Sequence, residues 1–181
     1  MRIISGSRRG HKLHEFEGYD VRPTTDRVKE AIFNLIQEYV PSSNVLDMFA
    51  GSGALSFEAL SRGALYAVLV DSDSKSIELI KKNIHELKFE DICEVKEISC
   101  FSYAKTCGKK FDIIFLDPPY NKGLIEPALE AISVNGLLSE SGIVLLESDN
   151  TDFKNEFPGL ELIKQRRYGR TFVTIYKGAE V

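Results

Sequence analysis

The chain has 181 residues, 43% hydrophobic and 28% charged, with a formal net charge of −4, the make-up of one ordinary globular domain that needs no disulfide or metal staple. No apolar run approaches the roughly 18 residues of a membrane span, and no apolar stretch follows the basic N-terminus as in a secretion signal, so a cytoplasmic protein is expected. The three cysteines, Cys93, Cys100 and Cys107, carry no C-x-x-C spacing and have no histidine pair beside them, so neither a zinc site nor a disulfide framework is expected.

Residues 1–22 read as a basic N-terminal arm or hairpin turning at Gly6 and Gly10, and residues 23–181 as the main domain. The first 13 residues hold Arg2, Arg8, Arg9 and Lys12 and no acid. Pro23, Thr24 and Thr25 announce a helix with a threonine cap. Val28, Ala31, Ile32, Leu35 and Ile36 then follow at the spacing of one apolar helix face.

From Val45 the pattern alternates between strand and helix. Strands are expected at VLDMFA, at 67–72, at CEVKEIS (93–99), at FDIIFL (111–116) and at GIVLLES (142–148). Helices are expected near Ala54–Arg62, over 75–87 and around Ile125–Val134. Near-continuous apolar strands separated by helices predict an α/β fold with a doubly wound, mostly parallel sheet. Leu160–Arg167 and Thr171–Lys177, flanking Tyr168-Gly169-Arg170, predict an antiparallel C-terminal hairpin at the sheet edge. That hairpin carries a second basic cluster, Lys164, Arg166, Arg167 and Arg170.

Two stretches carry chemistry. In VLDMFAGSG, Gly51 and Gly53 permit a tight turn and a close backbone approach to a ligand between strand and helix. Asp71 ends the next strand, where an acid commonly accepts hydrogen bonds from ribose hydroxyls. Helix capping in that region suits Asp73 or Ser74 better. The third glycine of a dinucleotide fingerprint is Ser56 here, and Asp47 interrupts the first strand; a carboxylate there would repel a pyrophosphate but attract an α-amino group. Ribose together with an amino acid points to S-adenosylmethionine. In FDIIFLDPPY the two prolines cannot continue a ladder, so Asp117, Pro118, Pro119 and Tyr120 project from the strand's C-terminal end, where open α/β sheets bind ligands. A rigid exit turn would use the same residues, but the glycine turn upstream favours a site.

These segments, MRIISGSRRGHKL, RPTTDRVKEAIFNLI, VLDMFAGSGALSFEALSRGA and FDIIFLDPPYNKG in that order, resemble the RsmD family of small-subunit (16S) ribosomal RNA guanine-N2 methyltransferases over nearly the whole chain. The resemblance implies a class I, Rossmann-like methyltransferase fold. Asp47, Phe49, Gly51 and Gly53 would hold the methionine end of S-adenosylmethionine, Asp71 and Ser72 the ribose, and Asp117 to Tyr120 the target base. Where such enzymes often present an acid to the cofactor adenine, this chain has Ser99-Cys100-Phe101-Ser102, leaving Ser99 as the neighbouring group. Ribosomal RNA, free or within a small-subunit particle, would be the partner. Arg2, Arg8, Arg9, Lys12 and Arg22 would touch its phosphates.

The chemistry suits that assignment, because an exocyclic amine is a poor nucleophile whose lone pair is delocalised into the ring. Asp117 and the Pro118 carbonyl would accept its hydrogens and fix it in line with the methyl group, while Tyr120 stacks on the base. No metal or covalent intermediate is required. Two rival readings use the same residues: an adenine-N6 methyltransferase on DNA or RNA, and a non-catalytic RNA-binding ribosome-assembly factor.

Overall fold

The computed structural model describes residues 1–16, 26–154 and 156–179. Its elements in chain order are α1 (Asp26–Leu35), β1 (Asn44–Asp47), α2 (Ala54–Ser61), β2 (Tyr66–Asp71), α3 (Ser74–Leu87), β3 (Cys93–Glu97), α4 (Cys100–Thr106), β4 (Phe111–Leu116), α5 (Ile125–Val134), β5 (Leu138–Ser148), β6 (Leu160–Tyr168) and β7 (Thr171–Gly178). They form one seven-stranded sheet in the order β3-β2-β1-β4-β5-β7-β6. Strands β1 to β5 run parallel, β7 is antiparallel to β5, and β6 closes the edge antiparallel to β7.

The apolar strands are explained by burial on both faces, where helices cover a parallel sheet. On one face Val45, Leu69, Phe115, Leu145 and Val173 pack with α1, α2 and α3. On the other, Leu46, Val68, Leu116, Leu146 and Tyr176 pack with α4 and α5. The chain winds outward through β1, β2 and β3, then crosses back to place β4 on the other side of β1. The carboxyl ends of β1 and β4 therefore flank the topological switch point, the place where such sheets bind ligands. Asp73 caps α3 by accepting the Ser76 N–H at 3.3 Å, as the sequence suggests. Among the described residues no helix is long and apolar enough to cross a membrane.

Three local features depart from the sequence pattern. The buried stripe of α1 and the turn after it is Lys29, Ile32, Phe33 and Ile36, whereas Val28, Ala31 and Leu35 are only half-buried. The face is turned because the Lys29 ammonium lies 3.3 Å from the Glu58 carboxylate, with both side chains fully enclosed; periodicity counts lysine as polar and cannot anticipate a buried ion pair. The expected threonine cap lies outside the described residues. Helix α4 is not announced by the pattern: Ser99 starts it, its hydroxyl accepting the Ser102 N–H at 3.1 Å. Strand β5 starts at Leu138, ahead of GIVLLES, with a register shift opposite Phe111 and Ile113.

The N-terminal segment packs closely on the domain. Ile3 is fully buried, Arg2 and Lys12 form an antiparallel bridge, and Glu58 accepts the Ile4 and Ser5 N–H groups at 2.8 and 3.0 Å. Gly6, at φ +84°, lies against the Ser61 carbonyl so closely that a Cβ would sit 1.7 Å from its oxygen.

Candidate active site

All five parallel strands carry an acid at or next to the carboxyl end, and three of these acids share a face. Side chains alternate along a strand. Since Leu46, Leu116 and Leu146 point toward α4 and α5, the next residues, Asp47, Asp117 and Glu147, project toward α1 to α3 at adjacent strand ends. Glu147 is 3% exposed. The sequence reading leaves it out, although its signal is visible: GIVLLES ends a continuous apolar run in an acid, just as FDIIFLD does.

Asp47 is 2% exposed, and its Oδ2 accepts the Ser56 hydroxyl at 2.9 Å. Its Oδ1 is the one buried side-chain oxygen or nitrogen without a hydrogen-bond partner among the described residues. Burial above all pushes its carboxyl up to about 7, with the Ser56 bond opposing and Asp71 adding to the rise. Asp117 is raised well above the usual carboxylate range by burial, then by the charges of Glu147 and Asp47. Three crowded, poorly solvated carboxyls favour any cation that enters among them. An orphaned oxygen on Asp47 is what the α-amino group of S-adenosylmethionine would satisfy, so these residues fit the cofactor that the sequence implies.

The glycine turn is braced from two sides. Gly51 (φ +56°) donates its N–H to Asp71 Oδ2 at 2.9 Å, and Gly53 (φ +81°) lies where a Cβ would come within 2.4 Å of the Phe57 ring. Asp71 also accepts the Asp73 N–H at 2.9 Å. Asn83 of α3, another residue outside the sequence reading, donates to the Ser52 and His14 carbonyls at 3.1 and 3.2 Å and accepts the His14 N–H. The N-terminal segment thus returns to the turn at His14. Phe49 is half-buried beside the turn, Ser72 is exposed next to Asp71, and Ser99 is occupied as the cap of α4.

On the target side Pro118 is buried, Pro119 exposed and Tyr120 half-buried. Burial drives the Tyr120 pKa up to about 12, with Thr171 at the head of β7 opposing the rise. Among the described residues no group of three His, Cys, Asp or Glu side chains could hold a metal ion.

The basic N-terminal residues are divided in their surroundings. Arg8 Nε donates to the Leu87 carbonyl at 2.7 Å and its guanidinium sits 5.2 Å from the Phe89 ring centroid. Arg8 is therefore committed to the C-terminal end of α3, a 14-residue helix whose other end borders the site, roughly 21 Å away at 1.5 Å per residue. Arg2 is exposed and 3.4 Å from Asp26, Arg9 and Lys12 are exposed, and Arg22 lies outside the described residues.

A parallel sheet with this switch point, a braced glycine turn and an acid-proline exit strand defines the class I methyltransferase fold. The solved structure of yhhF from Escherichia coli superimposes with a TM-score of 0.88 at 34% identity, covering 98% of this chain and 97% of that one. The family model described as conserved hypothetical protein 95 matches residues 1–177, and the chain belongs to this family, the RsmD family. The ribosomal RNA small subunit methyltransferase D of Haemophilus influenzae is 34% identical over 180 residues, 98% of this chain and 93% of its own length. Its namesake from Escherichia coli K12 is 38% identical over 149 residues, 82% of this chain and 75% of its own.

Proposed function

We propose that this protein transfers a methyl group from S-adenosylmethionine to the exocyclic N2 of a guanine in small-subunit ribosomal RNA. The carrying observation is the pairing of two strand ends at the switch point: Asp47, with its orphaned buried oxygen, and Asp117, backed by two prolines. The relatives' names support the substrate class. Bound beside Asp47, S-adenosylmethionine supplies an electrophilic methyl on a cationic sulfur.

The chain's own residues supply position. Asp47 takes the α-amino group, and Asp71 accepts from the ribose while holding Gly51 in place. Asp117 and the Pro118 carbonyl accept the two hydrogens of the exocyclic amine, aiming its lone pair at the methyl carbon. Asp117 or water would take the proton that the nitrogen loses on accepting the methyl group, and the electron pair of the old bond would stay with the cofactor's sulfur. Tyr120 stacks on a base that has left its helix, which is cheapest in an RNA loop. Of the basic residues expected to meet phosphate, Arg9 and Lys12 are exposed and available for backbone contacts, and Arg2 is exposed beside Asp26.

The test is transfer of labelled methyl to ribosomal RNA followed by nucleoside mapping. Label in N2-methylguanosine is expected. Label in N6-methyladenosine would favour the adenine enzyme, and RNA binding without any transfer would favour an assembly factor.

A further inference from the structure

The β6–β7 hairpin meets the site by its turn. Ser148, the last residue of β5, pairs with Phe172, and Glu147 with Val173. Tyr168, Gly169 and Arg170 therefore sit at the same sheet edge as Asp117, three strand spacings from β4, or roughly 14 Å. Thr171, the first residue of β7, also stands close enough to the Tyr120 hydroxyl to oppose the rise of its pKa.

Arg166, Arg167 and Arg170 are all exposed. None forms an ion pair with a carboxylate among the described residues. Arg166 pairs with Val173 and so shares the face onto which Asp117 and Glu147 project, with Tyr168 half-buried on the same side. Arg167 lies over Phe172 at 5.3 Å from the ring centroid and donates to the Gly169 carbonyl, which stiffens the turn. Charges on an edge strand ordinarily just discourage pairing. Here the guanidiniums gather at the end facing the site, while Leu162 and Ile163 of the same strand stay exposed at 37% and 39%.

Resting on the reaction proposed above, we infer that this turn is the phosphate-gripping surface for the nucleotides flanking the target base. The strand-end acids repel an RNA backbone, so a base can be presented to Asp117 only if its neighbours are held by cations close by. The arginines of the hairpin turn stand at this edge, whereas Arg8 and its turn stand at the opposite one. Exposed guanidiniums around a tyrosine suit single-stranded RNA, which is bound by backbone charge and by stacking.

The experiment compares wild type with Arg166→Ala/Arg167→Ala/Arg170→Ala for RNA binding across salt concentrations and for steady-state transfer, with cofactor affinity and thermal melting alongside. Each lost phosphate contact flattens the plot of log K against log salt by about 0.7 on single strands, so a change near 2 units is expected. KM for RNA should rise on the order of tenfold, with the loss in KM rather than kcat. Should removal of Arg167 from Phe172 unfold the turn, Arg166→Gln/Arg170→Gln keeps that stack and should flatten the slope by about 1.4. An unchanged slope and KM in a variant that melts and binds cofactor normally would overturn the inference. A wild type that binds RNA with a steep salt slope yet transfers no methyl would instead overturn the proposed reaction; the slope measured on the arginine variants would then still decide whether the hairpin grips phosphate.

Discussion

Gly51 gives its backbone N–H to Asp71 across the ends of β1 and β2, at 2.9 Å. One carboxylate therefore shapes the glycine turn and stands where a ribose would dock. Asp71→Ala should weaken S-adenosylmethionine by about 1.5–3 kcal/mol, the range for hydrogen bonds to a charged group. Calorimetry finding wild-type affinity would remove Asp71 from the cofactor site.

Asp47 links cofactor binding to pH. Its carboxyl is raised to about 7 in the fold, against roughly 3.9 in an unfolded chain. Its contribution to stability is thus complete below the unfolded value and lost as pH climbs through the folded one. Without cofactor, Asp47→Asn should melt higher than wild type near neutrality, with a gap that grows from about pH 4 to about pH 7. Cofactor affinity should fall in the same variant. Equal melting at all pH values would mean that Asp47 is not held in this strained state.

Asp117 should govern turnover and not cofactor binding. Asp117→Ala is expected to lower kcat on the order of 10²-fold, as loss of an orienting transition-state contact does. Because the Glu147 charge helps raise the Asp117 carboxyl, Glu147→Gln should move the acid limb of the rate profile to lower pH. An unmoved limb would leave Glu147 no electrostatic part in the reaction.

The hub around Glu58 is a stability prediction. Glu58 is fully enclosed and serves Lys29, Arg62 and the Ile4 and Ser5 N–H groups, while burial lowers the Lys29 pKa despite this partner. Glu58→Ala should cost on the order of 3–5 kcal/mol, because it strands a buried ammonium. Lys29→Met/Glu58→Leu should cost less than Glu58→Ala alone, and denaturant titration separates the two.

Arg8 and Arg9 are adjacent in sequence but not in role. Arg8→Ala should lower stability by about 1–2 kcal/mol, through its bond to a helix-end carbonyl and its stacking on Phe89. Exposed Arg9→Ala should stay within about 0.5 kcal/mol of wild type. Equal melting temperatures would contradict that division.

By itself the sequence determined what depends on local periodicity and turn chemistry. The apolar runs at β1, β2 and β4, the glycines of the turn, the Asp73 cap and the β6–β7 hairpin follow from backbone preferences acting over a few residues. Asp47, Asp71 and Asp117 stand out because an acid ending an apolar strand is locally anomalous. Tertiary structure alone decided what depends on partners distant in the chain. Lys29 is buried because Glu58, 29 residues on, returns to meet it. Arg8 leaves the set of free cations because the end of α3 takes it. Glu147 joins the acids because β5 lies beside β4, and the arginines of the β6–β7 turn reach the site edge because β7 runs antiparallel to β5. A charge states its sign in the sequence, but its energy depends on burial and on the charges nearby, and only the folded chain sets those.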